Sequence, residues 1–259
     1  MPAYLVFRLY GPLASWGEIA VGEARHSANQ PSRSALIGLC AAALGIERSE
    51  EERQAELARC FRFGIKLELP GHPVRDFHTI QAPSTRRGIR LRTRRQELSA
   101  KPLNTLLSYR DYRADSLAVI AAELSPGSAA LWSLENLAQA FRKPVFPLYL
   151  GRKSCPPALP LSPQIVQTSG LREALDTPQR SLAALSTRKP EQPWPSRLDE
   201  FALRPRETRY LWERGMVPAN DQSLEPSIDF TRNDQPLSRA RWQFGPRRES
   251  VHLSKGNQP

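Results

Sequence analysis

Along CFRFGIKLEL, residues 60–69, apolar and polar side chains alternate: Phe61, Phe63, Ile65, Leu67 and Leu69 take one face, Arg62, Lys66 and Glu68 the other. A period of two is that of a β-strand with one face buried, so something else in the chain must cover that face. Two segments are suited to it. AYLVFRLY, residues 3–10, is an apolar run closed by Gly11-Pro12 and predicts a buried first strand. PSRSALIGLCAAALGI, residues 31–46, predicts a helix, with Ser32 or Ser34 as N-cap and Gly45 as stop. Its apolar core of about a dozen residues is short of the ~20 a membrane span needs. Helices packed on a sheet make this an α+β chain.

The order of the remaining signals narrows the plan. EEERQAELARC adds a polar helix, and Pro70-Gly71 turns the chain into VRDFHTIQ, a second antiparallel strand. NTLLSYRDYR and LAVIAAEL are strand-like, and Leu131, Leu134, Leu137 or Ala138, and Phe141 recur at helical spacing before Pro144. VFPLYLG then reads as short and extended. Strand, helix, strand, strand, excursion, strand, helix, strand is the βαββαβ order of a ferredoxin-like domain, expected over residues 1–150. Beyond it, 151–205 reads as a proline-rich connector containing a short helix, GLREALD, and a linker, STRKPEQPWPSRLDEF. ETRYLWERG and RARWQFGPRRESVHL predict strands of a small second sheet within a β subdomain, 206–259.

The charge points to a partner. The chain carries a formal net charge of +11, and 31 of its 37 basic residues are Arg. Clustered arginine is the electrostatic footprint of a polyanion binder, because a guanidinium grips phosphate at two points and stacks on bases. The cluster lies in STRRGIRLRTRRQELSAK, residues 84–101, where Arg86, Arg87, Arg90, Arg92, Arg94 and Arg95 have only Glu97 behind them. Read as a strand, GIRLRTR puts Ile89, Leu91 and Thr93 on one face. Arg90, Arg92 and Arg94 take the other, spaced ~6.6 Å apart to track an extended nucleic-acid strand. A solvated charged loop is the alternative.

SYRDYR interleaves Tyr109, Arg110, Tyr112 and Arg113, the mixture of rings and guanidiniums that single-stranded RNA recognition uses, although cross-strand packing accounts for it equally well. In the first loop, Gly11, Gly17 and Gly22 let backbone amides approach a ligand. The helix start at Ser32–Ala35 offers amides to a phosphate, with Arg25 and Arg33 beside it. Trp16 reads as core before it reads as a stacking surface. Cys155, next to Arg152 and Lys153, lacks a histidine base at a recognisable spacing, so GRKS is expected to be a stiff turn presenting two cations. No metal-ligand spacing, paired carboxylates or cofactor motif is evident. Three scattered cysteines and no leader-like N-terminus lead us to expect a cytoplasmic protein without a membrane role.

Five stretches together carry a resemblance: LVFRLYGPLASWGEIAVGE, HSANQPSRSALIGLCAAALGI, SYRDYRAD, PLYLGRKSCPPALPLSP and PLSRARWQFGPRRES. In this order they resemble the Cas-five family of the type I-E CRISPR surveillance complex, Cascade, over about residues 4–163 and again around 208–253. The resemblance implies an RRM-like (RAMP-type) ferredoxin domain with an inserted β-hairpin thumb, here 82–104, and a small C-terminal β subdomain. It implies a non-catalytic, cofactor-free subunit in antiviral defence that caps the 5′ handle of the CRISPR RNA, next to a backbone subunit (CasC) and a large subunit (CasA). Carried onto this chain, the RNA-binding candidates are Ser15, Trp16, Arg25, His26, Ser32, Arg33, Arg86, Arg87, Arg90, Arg92, Arg94, Tyr109, Arg110, Tyr112, Arg113, Arg152 and Lys153. Relatives in another CRISPR subtype cut repeat RNA without metal, and His26 and His78 with Tyr10 or Lys153 would be the residues for that alternative.

Overall fold

The computed structural model describes residues 1–20, 22–84, 90–127, 132–177, 207–218, 221–239 and 241–255. In chain order the elements begin β1 (Ala3–Ala14), β2 (Trp16–Gly17), β3 (Ala24–Arg25), β4 (Ser27–Ala28), α1 (Arg33–Leu44), α2 (Glu51–Cys60), β5 (Phe61–Leu69) and β6 (His72–Pro83). They continue as α3 (Arg94–Ser99), β7 (Leu103–Leu124), α4 (Leu134–Arg142), β8 (Gln164–Gln167), α5 (Leu171–Leu175), β9 (Glu207–Glu213), β10 (Ser227–Ser238) and β11 (Gln243–Lys255). Nine strands form one sheet in the order β10-β11-β9-β5-β7-β1-β8, with β3 and β6 also on β7. Its pairings are antiparallel except for β3 on β7. This is a mixed α/β chain built on a large antiparallel sheet. No helix among the described residues is long and apolar enough to cross a membrane.

Strand alternation divides the core. Leu5, Phe7 and Leu9 of β1, the odd residues Phe61–Leu67 of β5, and Ala118, Ile120 and Ala122 of β7 pack under α1, α2 and α4. The opposite face of β1 and β7, Tyr4, Val6, Val119 and Ala121, packs against α5 and the β9 residues Tyr210 and Trp212. Helix α1 sits on the first face because its ends are specified locally. The Ser32 hydroxyl accepts the Ala35 amide at 3.2 Å. Gly45 takes the left-handed conformation, and the amides of Gly45 and Ile46 close on Ala42 and Ala41.

β7 does two jobs. Residues 103–114 pair with β6, and residues 117–124 pair with β5 while β1 lies on the other side. The exchange of partners falls at Asp115, whose φ is +55°. It faces the turn at Gly71, where φ is +70° and an added Cβ would lie 2.6 Å from the Ala114 carbonyl. These positions aim β6 and the first half of β7 out of the body as a long hairpin, with β6 exposed along nearly its whole length.

Four expectations are corrected. VRDFHTIQ is a strand, but it pairs with β7 and not with the β5 strand that precedes it. The described part of GIRLRTR is not a strand: residues 90–93 are irregular and Arg94 opens α3, while Gly88 and Ile89 lie outside the described residues. Thr93 caps that helix by accepting the Gln96 amide, and the Gln96 side chain accepts the Arg92 amide, so a T-x-x-Q start signal overrides the alternation. The hairpin strands accordingly come from 72–83 and 103–114, and the described arginines of the cluster, Arg90, Arg92, Arg94 and Arg95, lie between them. VFPLYLG stays out of the sheet because the amides of Val145 and Phe146 donate to the last carbonyls of α1, and β8 fills the place beside β1. Finally, the C-terminal strands do not form a separate sheet, since β9 pairs with β5. The linker STRKPEQPWPSRLDEF lies outside the described residues.

Candidate nucleic-acid interface

At the root of the hairpin, two loops are drawn onto β7. Gly151 has φ +88°, and a Cβ there would lie 1.8 Å from the Ser15 carbonyl, so only glycine permits the loop after α4 to close on the first loop. The Ser15 amide donates to Leu150 O at 2.9 Å, and Leu150 and Cys155 complete a tight turn that holds Arg152, Lys153 and Ser154 outward. The segment Ala24–Arg25 runs parallel to Tyr109–Arg110, fixed by the Tyr109 amide donating to Glu23 O at 3.0 Å.

Asp111 is the hub of this ridge. It takes a bidentate ion pair from Arg75, at 2.7 and 3.1 Å, and contacts His26 Nδ1 at 3.0 Å. Hydrogen bonds from Arg75 hold its carboxyl down at about 2, with burial opposing and His26 assisting. Its backbone carbonyl accepts the Ser15 hydroxyl at 3.0 Å. Arg152 lies over the Tyr112 ring at 4.8 Å and donates through Nη2 to Arg25 O at 3.2 Å. Its Nη1 is buried with no hydrogen-bond partner among the described residues. Arg25 folds back on the carbonyls of Gly22 and Ala24.

The structure therefore sets these candidates around the hairpin root on its two faces: Tyr109 and Arg113 share a face with Asp111, His26 and Arg75, a residue that sequence reasoning passed over, while Arg110 and Tyr112 take the other face, where Arg152 lies over the Tyr112 ring. The signal for Arg75 was its place opposite Asp111, visible only once β6 is registered on β7. Tyr109 and Lys153 are exposed and Arg110, Arg113 and Arg152 half-buried. Arg90, Arg92 and Arg94 lie far along the arm; Arg90 and Arg92 are exposed, and Arg94 pairs with Glu97 at 2.7 Å. Arg86 and Arg87 lie outside the described residues.

Five candidates turn inward, so the surface contact expected of them is corrected. Ser15, Trp16, Ser32, Arg33 and Tyr112 are all buried. Trp16 is core, the first of the two readings given for it. Arg33 pairs with Glu213 at 2.9 Å and donates to the carbonyls of Ala58 and Phe61. The start of α1 is also no open phosphate cradle: the Arg33 amide donates to the Asp234 carboxylate at 2.8 Å and the Ala35 amide to Ser32. Asp234 belongs to a buried network in which Arg247 binds it at 2.7 and 2.9 Å and Glu249 at 2.6 Å, while Arg232 reaches Glu249 at 3.3 Å. Helix α1 is thus tied to β9, β10 and β11 through charge. Cys155 is buried and burial pushes its thiol pKa up, contrary to what a nucleophile needs.

The hairpin itself is amphiphilic in an unusual way. Phe77, Leu107 and Tyr109 are exposed on one face, and Val74, Ile80 and Leu106 on the other. Phe77 is 63% exposed. Among the described residues nothing covers these apolar side chains on either face of the arm. Strand parity also separates the two histidines considered for cleavage: His26 meets Asp111, while His78 lies opposite Ser108, whose side chain points to the other face. Tyr10 donates to Asp115 at 3.4 Å, and burial, followed by that carboxylate, raises its pKa.

The family model described as CRISPR-associated protein (Cas_Cas5) matches residues 4–249. Among curated proteins, the chain is 30% identical over 183 residues to the CRISPR system Cascade subunit CasD of Escherichia coli (strain K12), covering 68% of this chain and 76% of that one. Among solved structures, a chain of a CRISPR RNA-guided surveillance complex aligns with a TM-score of 0.60 at 21% identity, over 98% of this chain and 90% of the other. A second, described as the crystal structure of a Cas protein, gives 0.57 at 24% identity, over 98% and 96%. These structures share the fold, and the family match spans nearly the whole sequence: the chain belongs to the CRISPR-associated Cas5 family.

Proposed function

We propose that this chain is a non-catalytic subunit of a type I-E Cascade surveillance complex, binding and capping the 5′ handle of the CRISPR RNA and so supporting antiviral DNA targeting in the cytoplasm. The observation that carries the reading is the ridge at the hairpin root. There Tyr109 and Arg113 on one face of β7, and Arg110 with Arg152 and the neighbouring Lys153 at the other, surround a frame fixed by Asp111 and Gly151, and a guanidinium nitrogen of Arg152 has no acceptor among the described residues. Guanidiniums set among rings suit phosphates and splayed bases of a single strand. The hairpin, with apolar residues on both faces, is the thumb. It buries those residues against the adjacent backbone subunit, with the large subunit nearby. The central strand order β5-β7-β1-β8, with α1, α2 and α4 on one face, supports a ferredoxin-like, RAMP-type N-terminal domain.

The test is binding of labelled handle RNA against a scrambled RNA at equal salt. A preference for the handle is expected, whereas pure counterion release gives none. The endoribonuclease alternative is disfavoured by the placement of His26 and His78 on opposite faces. Metal-independent cleavage of repeat RNA by the purified chain, abolished by His26→Ala, would reinstate it.

A further inference from the structure

Beside the ridge lies a cleft of about 570 Å³, between α1, the segment after β2 and the β10–β11 turn. Its size falls within the ~300–1,000 Å³ range of small-ligand sites. Ala35, Gly38 and Ala42 keep the α1 wall low, and a Cβ at Gly38 would come within 3.2 Å of Arg239 Nη2. Arg239 forms the opposite wall. Its guanidinium donates to the Ser34 carbonyl, and no ion pair among the described residues engages it. Glu18 and Asp234 also line the cleft, but Asp234 is held by Arg247 and the Arg33 amide, and neither carboxylate forms an ion pair with Arg239 among the described residues, so this guanidinium can take an incoming anion.

Next to it stands Trp242, 62% exposed and held at φ +53°. A bulky residue at positive φ is strained, and such strain collects where a side chain is put to use. Arg48 lies over the indole at 4.1 Å, and its Nε donates to Arg239 O at 3.0 Å, so ring and cation are pre-arranged. Tyr149, 40% exposed, lines the same space. The cleft also continues the ridge, because Gly17 and Gly151 line it and Arg152 follows Gly151 directly.

We propose that this cleft takes one unstacked nucleotide of the bound RNA, its base on the free face of Trp242 and its phosphate on Arg239. The inference rests on the RNA-binding reading above and adds to it a subsite built from the C-terminal strands and α1. Stacking on a ring and charge from arginine are the two terms that hold single-stranded nucleic acid, and this cleft offers both within one space.

The test is a scan in which 2-aminopurine replaces each base of the handle RNA in turn, with anisotropy and base fluorescence read on the intact protein. In the wild type, one position is quenched on binding. Trp242→Ala removes that quench and weakens affinity about five- to one-hundred-fold, Trp242→Phe restores most of both, and Arg239→Gln weakens binding of the same position. Trp242 is exposed, so Trp242→Ala keeps the wild-type melting temperature, and melting of Arg239→Gln separates a folding defect from a binding one. Tight RNA binding with no quench dependent on Trp242 overturns the inference and leaves the functional reading standing. No RNA binding by the wild type overturns both. Capture of an acidic peptide in the cleft, with RNA binding unaffected by Trp242→Ala, also refutes it.

Discussion

Replacing Asp234 with alanine removes one carboxylate that three N–H groups share: the Arg33 amide at 2.8 Å and Arg247 Nε and Nη2 at 2.7 and 2.9 Å. The side chains of Asp234 and Arg247 are each only 9% exposed. The variant leaves Arg247 and Arg232 to share Glu249 and orphans the first amide of α1. Breaking a buried pair in this way costs about 3–5 kcal/mol. In a protein of this size, 1 kcal/mol moves the melting temperature by about 2–4 °C, so a fall of about 6–20 °C is expected in thermal unfolding followed by circular dichroism. Asp229→Ala, which removes an exposed acceptor for Ser250, is the control and should move the midpoint by no more than about 2 °C.

The pH dependence follows from the same geometry. Burial pushes the Asp234 pKa up, but Arg247, then Arg232 and the Arg33 amide, outweigh it and leave it below the ordinary aspartate value. A carboxyl with a depressed folded-state pKa stabilises fully above its unfolded value, ~3.9, and that stabilisation is lost as pH falls through the folded value. The wild type should therefore lose melting temperature more steeply below pH 4 than Asp234→Ala does. A shift in the variant no larger than that of Asp229→Ala, or identical acid limbs, would refute the account of this network.

Three further perturbations probe other parts of the molecule. Gly151→Ala meets the Ser15 carbonyl and a left-handed φ together, so a loss of at least about 2 kcal/mol in urea unfolding is expected, with weaker RNA binding as Arg152 is displaced. Phe77→Ser with Leu107→Ser leaves the isolated chain's melting temperature within about 2 °C, since both residues are exposed, but prevents co-purification with the backbone subunit. Normal assembly of that variant would remove the thumb role from the hairpin. Asp111→Asn releases Arg75 and His26 and should lower the affinity for handle RNA several-fold in anisotropy, while an unchanged affinity would reduce Asp111 to a surface ion pair.

Much of this was legible where a single physical signal dominated. The alternation at Phe61–Leu67 and the Ser32 and Gly45 caps placed β5 and α1 correctly, because burial and local geometry agreed there. The arginine segment misled because two signals conflicted: GIRLRTR alternates, but Thr93 and Gln96 start a helix at the end of the pattern. β10 was missed since SIDFTRNDQPLS is a polar edge strand carrying Pro236, and an edge needs neither a buried face nor every amide. Ser32 and Arg33 were chosen as phosphate ligands from their place at a helix start. Ser32 instead caps the helix on the Ala35 amide, and the true partners of Arg33, Asp234 and Glu213, lie about two hundred residues away in the chain, a pairing no local pattern announces. SYRDYR and GRKS were legible as segments because each is compact, and the structure sets them side by side through Tyr112 and Arg152, although the pair of Arg75 with Asp111 depends on strand register.

The central claim is that the ridge at the hairpin root reads the handle of the guide RNA, and one titration tests it most directly. Handle and scrambled RNA are bound to the wild type and to Arg110→Gln with Arg152→Gln across a salt series. We predict tighter binding of the handle by the wild type. In the double variant that preference should be lost and the salt slope reduced by about one for each phosphate contact removed. Equal affinity for the two RNAs, or a double variant indistinguishable from the wild type at every salt concentration, would contradict the account.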